Sequence, residues 1–249
     1  MEDLAQRARA LEELAEEVIA CRRCTRLRSY CEAVAARKVR RFLAETYWGR
    51  PVPGFGDPAA RLLLFGLAPA AHGANRTGRM FTGDDSGNWV YEALHRFGFA
   101  SRPTAVSRDD GLRLWGAYIA ASARCAPPDN RPTREEIENC RPFFERELDL
   151  LRQVEVVVVL GHIAFETYLR VLRDRGVPTD GVRFAHGALY RLPPPAPPHL
   201  LCSYHPSRQN TQTRRLTREM WHAVFRTARA LLDGEPQPNA VGGLGDRGT

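Results

Sequence analysis

Between Arg61 and Gly87 the chain reads RLLLFGLAPAAHGANRTGRMFTGDDSG, and the side chains best suited to chemistry on a small polar ligand gather there. His72, Asn75, Arg76, Asp84 and Asp85 surround a single aromatic, Phe81. Gly66, Gly73, Gly78, Gly83 and Gly87 are interspersed, and glycine lets backbone N–H groups approach a ligand closely. The apolar run Leu62 to Phe65 predicts a buried strand. A strand that ends in such a loop, with a helix following, is where open α/β sheets place their binding crevice.

A second group of reactive side chains is sulfur. Cys21 and Cys24 form a C-x2-C, and Cys125 and Cys140 are separated by fourteen residues. Two such pairs can complete a four-thiolate site for zinc or for a [4Fe–4S] cluster, and spacing alone does not choose between them. Cys202 lies in a predicted strand and reads as a buried thiol. Cys31 could substitute for one of these ligands, although its position in a basic helix favours the other four. Metal bound at the four cysteines would fold the N-terminal arm.

These groups need elements to hold them. Residues 3–20 show helical spacing of Leu4, Ala8, Leu11, Ala15 and Val18, and a basic helix follows Cys24 to about Ala44. Segment 46–58, TYWGRPVPGFGDP, reads as irregular. A helix is predicted over Trp89–Phe97, and further strands over Leu114–Ser122, Val154–Leu160 and Leu200–Tyr204. VEVVVVL does not alternate, which implies cover on both faces, as in a parallel sheet. Thr133 and Glu136 form a capping box at the start of another helix, and one more runs from Gly161 to about Arg173. Residues 184–190 suggest a short strand, PPPAPP a stiff polyproline spacer, and Leu216–Leu232 a final helix. Four strands alternating with helices predict a three-layer α/β domain, a central mostly parallel four-stranded sheet with helices on both faces. The expected division is one domain over 1–233, with the cysteine-bearing arm at its start, and a disordered tail over 234–249.

The chain has 249 residues, a formal charge of +7 and a single lysine, Lys38. A basic balance carried by arginine suits a polyanion bound through bidentate phosphate contacts. No apolar run approaches the roughly 20 residues that cross a bilayer. The charged N-terminus lacks the pattern of a signal peptide. A cytoplasmic protein without membrane association is expected.

Taken in order, GLAPAAHGANRTGRMFTGDDSG, RCAPPDNRPT, FAHGA and SYHPSRQNTQTRRLT, together with YWGRPVPGFGDP and the four cysteines, resemble the family 5 uracil-DNA glycosylases. These are thermostable prokaryotic iron–sulfur repair enzymes with the uracil-glycosylase fold. The likeness covers about residues 12–232. It implies a monomeric enzyme acting on double- or single-stranded DNA. It also implies a [4Fe–4S] cofactor on Cys21, Cys24, Cys125 and Cys140. Ala70, Met80 and Pro206 depart from the residues usual in the family (glycine, proline and valine).

The resemblance also distributes roles. A glycosylase takes the base out of the stack before cutting its bond to the sugar. Phe81 would stack on that base, and His72 and the backbone of Gly66, Leu67 and Ala68 would meet its edge, as an oxyanion hole does. His205 would donate a hydrogen bond to the oxygen that gains charge. Asp84 would activate water, and Asn130 would have a catalytic or base-contacting role. Ser207, Arg208, Gln209, Asn210, Arg214 and Arg215 would form the loop that enters DNA and contacts phosphates. LAPAAHG has no carboxylate, and YIAASARC lacks the asparagine by which other branches select uracil. A less selective pocket is therefore expected, one that also admits hypoxanthine and xanthine. With Lys38 far off in sequence, no Schiff-base lyase step is expected. The alternatives are an inactive cluster-bearing DNA-binding module and a zinc-dependent nucleotide hydrolase.

Overall fold

A computed structural model describes residues 2–235. The chain begins with α1 (Glu2–Ala20), α2 (Thr25–Arg37) and a 3-10 turn at Arg40–Phe42. Then come β1 (Phe55–Gly56), β2 (Leu62–Gly66), α3 (Ala74–Thr77), α4 (Asp85–Arg96) and β3 (Ala117–Ala121). After a second 3-10 turn at Pro128–Asn130 follow α5 (Arg134–Leu150), β4 (Val156–Leu160) and α6 (His162–Asp174). The last elements are β5 (Leu189–Arg191), β6 (His199–Ser203), α7 (Arg208–Gln212) and α8 (Arg218–Leu232). The expected tail lies outside the described residues beyond Glu235.

The strands form one six-stranded sheet in the order β1-β3-β2-β4-β6-β5. The inner four are parallel, as expected, and the two edge strands are antiparallel. The four-stranded expectation is thus extended by two short strands. β1 lies inside the segment read as irregular. Its two residues are too few for any periodic signal, and Gly56 has a φ of 152°. β5 occupies only the end of the predicted 184–190 strand. The proline-rich stretch that follows is not a stiff spacer. It closes the β5–β6 hairpin, with Leu192 N donating to Pro198 O at 2.9 Å and Ala196 N to Pro193 O at 3.2 Å.

Alternate residues of each inner strand enter two separate cores. Leu62, Leu64, Ile119, Val156 and Val158 pack with Val90 and Leu94 of α4 and Trp221 and Phe225 of α8. Leu63, Phe65, Val157 and Val159 pack with Phe144 of α5 and Phe165 and Tyr168 of α6. This two-sided burial is why the strands show no alternation in sequence. The chain steps from β2 to β3 on one side, then crosses to β4 on the other. The loops after β2 and β4 therefore flank a topological switch point at the carboxyl edge.

On the arm side, Arg124 and Glu147 form an ion pair with side chains only 1% and 2% exposed. The Tyr118 hydroxyl donates to Glu147 Oε1 at 3.3 Å. Gly54 passes so closely that a Cβ there would overlap both Tyr118 and Glu147. The predicted capping box starts α5, with Glu136 N donating to Thr133 Oγ1 at 3.2 Å and Thr133 N to Glu136 Oε2 at 2.7 Å.

Removing one partner of a buried pair strands the other charge. Glu147→Ala should cost about 3–5 kcal/mol of stability in denaturant unfolding. A loss below about 1 kcal/mol, the range of exposed pairs, would contradict the burial of this pair.

Candidate active site

Asp84 is the N-cap of α4. Its Oδ1 accepts from Gly87 N at 2.8 Å. The predicted helix start at Trp89 is therefore corrected to Asp85: the capping carboxylate sits before the first apolar residue of the pattern. The other oxygen, Oδ2, lies against the Gly73 α-carbon, where a Cβ would overlap it. Burial raises the Asp84 carboxyl above the ordinary carboxylate range, against the opposing pull of the Gly87 amide and with the Asp85 charge adding to the rise.

Phe81 has a φ of 52°, a left-handed conformation that costs a bulky residue about 1 kcal/mol or more. Its neighbours hold it there. Met80 O accepts from Tyr91 Oη at 2.8 Å and from Thr82 Oγ1 at 3.2 Å. Arg79 reaches Asp110 through two hydrogen bonds of 2.9 and 2.8 Å, both side chains nearly buried at 3% and 5% exposure. Burial opposes ionisation of Asp110, but the Arg79 guanidinium and the Leu112 and Val106 amides hold its carboxyl well below the usual range. Neither Arg79 nor Asp110 stood out in the sequence. The one signal was the turn-like Asp109–Asp110–Gly111.

The Phe81 ring lies beside Gly66, whose added Cβ would fall 3.1 Å from the ring edge. It faces the His205 ring across 6.0 Å between centroids, tilted by 32°. His205 follows β6 directly, and Gly161 after β4 leaves room beside it. Burial lowers the His205 imidazole to about 4, so near neutral pH the ring is uncharged and has one N–H to donate. Gly66, Phe81 and His205 thus converge at the carboxyl edge. The carbonyls of Gly66 and Leu67 are bonded by Ser122 N at 3.0 Å and Ala123 N at 2.8 Å, which orients the strand end.

Other residues are placed further out. His72 Nδ1 hydrogen-bonds Tyr47 Oη at 3.1 Å, and burial, then the Arg76 charge, lowers the imidazole. Asn130 is exposed in the left-handed region, with a φ of 55°, in the turn after β3. No hydrogen bond joins it to Asp84, Phe81 or His205 among the described residues. The 207–215 stretch, expected as a loop, contains α7. Ser207 caps it by accepting from Asn210 N at 3.3 Å. Asn210 Nδ2 and Ser207 N both donate to His205 O at 2.8 Å, so these residues anchor the histidine. Arg208, Gln209, Arg214 and Arg215 are exposed. Arg208 pairs with Asp85 at 3.1 Å, and Arg215 stacks 4.7 Å from the Tyr204 ring centroid. Pro206 is buried between His205 and α7.

The cysteines of the arm meet those after β3 and in α5. Burial raises the Cys24 thiol, the Cys125 and Cys21 sulfurs raise it further, and Asn139 Nδ2, 3.6 Å away, opposes the rise. Burial pushes Cys140 up to about 12, with Cys125 and Cys24 contributing. Cys31 also lies here, bonded to Ala126 O at 3.5 Å, and its thiol and burial raise Cys125. The thiols are neighbours, although no three His, Cys, Asp or Glu close into a metal-ligand group among the described residues. Arg28 Nη1 and Arg124 Nε and Nη1 are buried without a partner.

Residues 53–229 match the family model of the uracil DNA glycosylase superfamily. The chain belongs to this family. It is 53% identical over 220 residues to the type-5 uracil-DNA glycosylase of Thermus thermophilus, covering 88% of this chain and 97% of that one. It is 47% identical over 229 residues to the type-5 enzyme of Mycobacterium bovis, covering 92% of this chain and 84% of that one. Against the type-5 enzyme of Pyrobaculum aerophilum it is 43% identical over 219 residues, covering 88% and 92%. The chain is thus a type-5 member of the uracil-DNA glycosylases, and the six-stranded sheet is its version of that fold. Among the described residues no helix is long and apolar enough to cross a membrane.

The Gly73–Asp84 contact is open to a double-mutant cycle. Gly73→Ala should destabilise through overlap with the carboxylate, and Asp84→Ala through loss of the cap, about 1 kcal/mol. In the double variant the overlap is gone, so the singles should couple by about 1–3 kcal/mol in denaturant unfolding. Simple additivity would place the carboxylate elsewhere.

Proposed function

We propose that this glycosylase hydrolyses the N-glycosidic bond of uracil in DNA, and of hypoxanthine and xanthine, leaving an abasic site. The convergence of Phe81 and His205 beside the Asp84 loop carries this reading. The flipped base stacks on Phe81, and its edge meets the backbone over Gly66, Leu67 and Ala68, with His72 at the rim. The C1′–N1 bond of uracil breaks with its electron pair leaving on the base. The neutral His205 donates its N–H to the base oxygen where that charge collects. Its burial matters here: a neutral imidazole donates without the charge that the pocket would have to desolvate. Asp84 Oδ2 accepts a proton from the water that attacks C1′, and the departing base is protonated from solvent. Asn130, exposed on the turn after β3, would reach the substrate from the DNA side. No asparagine on β3 restricts the base edge, which supports the wider base range. Lys38 Nζ is engaged by Leu43 O at 3.1 Å, which supports hydrolysis without a lyase step.

We further infer that Cys21, Cys24, Cys125 and Cys140 hold a [4Fe–4S] cluster. The neighbouring thiols fit such a group, and so do the buried, unpartnered N–H groups of Arg28 and Arg124, which suit the negative charge of thiolate-bound sulfide. The cluster would supply cross-links that fold the arm onto β3 and α5. The protein acts as a monomer in this reading.

The deciding assay is a duplex with one uracil opposite guanine, treated with alkali after incubation. Cleavage only after alkali is expected, followed by the same result with hypoxanthine and xanthine. Activity on uracil alone would remove the purines, and no cleavage would remove the reading. Asp84→Asn should lower the single-turnover rate about 10²–10⁴-fold, the usual contribution of a general base. Because the Asp84 carboxyl is raised, the base form is lost as pH falls at a higher pH than an ordinary carboxylate would give. The acid limb of the wild-type rate should show this and vanish in Asp84→Asn.

Iron and sulfide analysis of the purified protein checks the cluster. Four irons for each chain are expected, with broad visible absorbance lost in Cys140→Ala. Stoichiometric zinc without iron would replace the cluster with a zinc site.

A further inference from the structure

The segment between α2 and β1 carries charge that the base pocket does not use. From Ala33 to Ala44 the chain has Arg37, Lys38, Arg40 and Arg41 and no acidic residue. Arg37, Arg40 and Arg41 are exposed, and none has an acidic partner among the described residues. The nearest acids in sequence are committed elsewhere. Glu32 pairs with Arg28 at 2.8 Å, and Glu45 pairs with Arg76. Lys38 turns the chain, with a φ of 53° and its Nζ on Leu43 O at 3.1 Å.

This basic turn is fixed to the Asp84 loop. The Phe42 ring takes the Arg76 guanidinium on its face, 3.8 Å from the centroid. Arg76 then donates from Nη2 to Gly83 O at 2.8 Å, one residue before Asp84, and from Nε to His72 O at 2.8 Å. The chain after Phe42 continues the attachment, with Trp48 N on Arg76 O at 2.8 Å and Gly49 N on Asn75 O at 2.9 Å. On the other flank of the same loop, Arg208 holds Asp85. Two arginine-rich segments are therefore attached to the two residues that flank Asp84, Gly83 and Asp85.

We propose that Arg37, Arg40 and Arg41 form a second phosphate-binding surface for duplex DNA, gripping the backbone on the far side of the flipped nucleotide from residues 207–215. The proposal rests on the DNA-glycosylase reading. Its chemistry is that of exposed guanidinium groups facing phosphates, which release condensed counterions when they bind. Gripping the strand on both sides of the extruded nucleotide would also resist closure of the duplex behind it.

The test is binding of a fluorescent duplex with a tetrahydrofuran abasic-site analogue, measured over a salt series. Wild type is compared with R37Q/R40Q/R41Q, with R37K/R40K/R41K, and with R96Q/R152Q/R173Q. The last set removes equal charge at the carboxyl-terminal ends of α4 and α6 and before β4, away from the carboxyl edge. The glutamine set should bind at least tenfold more weakly at low salt. Its salt slope should fall by about 0.9 for each phosphate that is no longer neutralised. The lysine set should keep the wild-type slope, and the distant set should keep most of the wild-type affinity. Equal slopes for the glutamine set and wild type would overturn the proposal, as would an equal weakening in the distant set. A weakening shared by the lysine set would assign the effect to folding and overturn it as well. Because the analogue holds no base, a protein that releases no uracil yet shows this slope change would fail the activity reading and keep this surface.

Discussion

The constraint on which the site depends is the position of one carboxylate. Asp84 closes the first turn of α4 with one oxygen and rests the other on a bare α-carbon at Gly73. The first contact ties the group to a helix packed against the sheet. The second leaves space that any side chain at position 73 would fill. A group held this way cannot swing into solvent to recover its hydration, and so its burial and raised carboxyl are parts of one arrangement. In the proposed hydrolysis, preorganisation of this kind would let Asp84 act without reorganising during the reaction.

Phe81 is held by a different device. Phe81 sits in a backbone conformation it would not choose, and Arg79, Asp110, Thr82 and Tyr91 oppose its relaxation. The bidentate pair joins the loop after β2 to the 105–112 loop. Stored backbone strain is tolerated where the surroundings over-determine it. Asp84 and Phe81 are thus fixed from opposite sides of one short loop, one by a helix end and the other by a buried ion pair.

Much of this was legible in the sequence, for physical reasons that also explain the gaps. Val156–Leu160 and Leu62–Gly66 announce themselves because two-sided burial demands unbroken apolar runs. The Thr133–Glu136 box is a local device, and it forms as read. Asp84 and His205 stand out because they lie in the polar loops that follow strand ends. β1 and β5 escaped because strands of two and three residues have no period to detect. The role of Gly73 escaped because it lies in a contact with a residue eleven positions away, and glycine writes nothing into a pattern. The Arg79–Asp110 pair, separated by 31 residues, is invisible until the loops are folded together.

Those two short edge strands have a bearing of their own. An open parallel sheet normally ends in rows of unpaired N–H and C=O groups, which invite another chain to add itself. Here a two-residue strand closes one side and a three-residue hairpin arm, leading into a proline-rich turn, closes the other. Proline offers no N–H to a newcomer, and strands this short give it little to pair with. Copies of the chain crowded along the same stretch of DNA would find no template on each other for growing a common sheet.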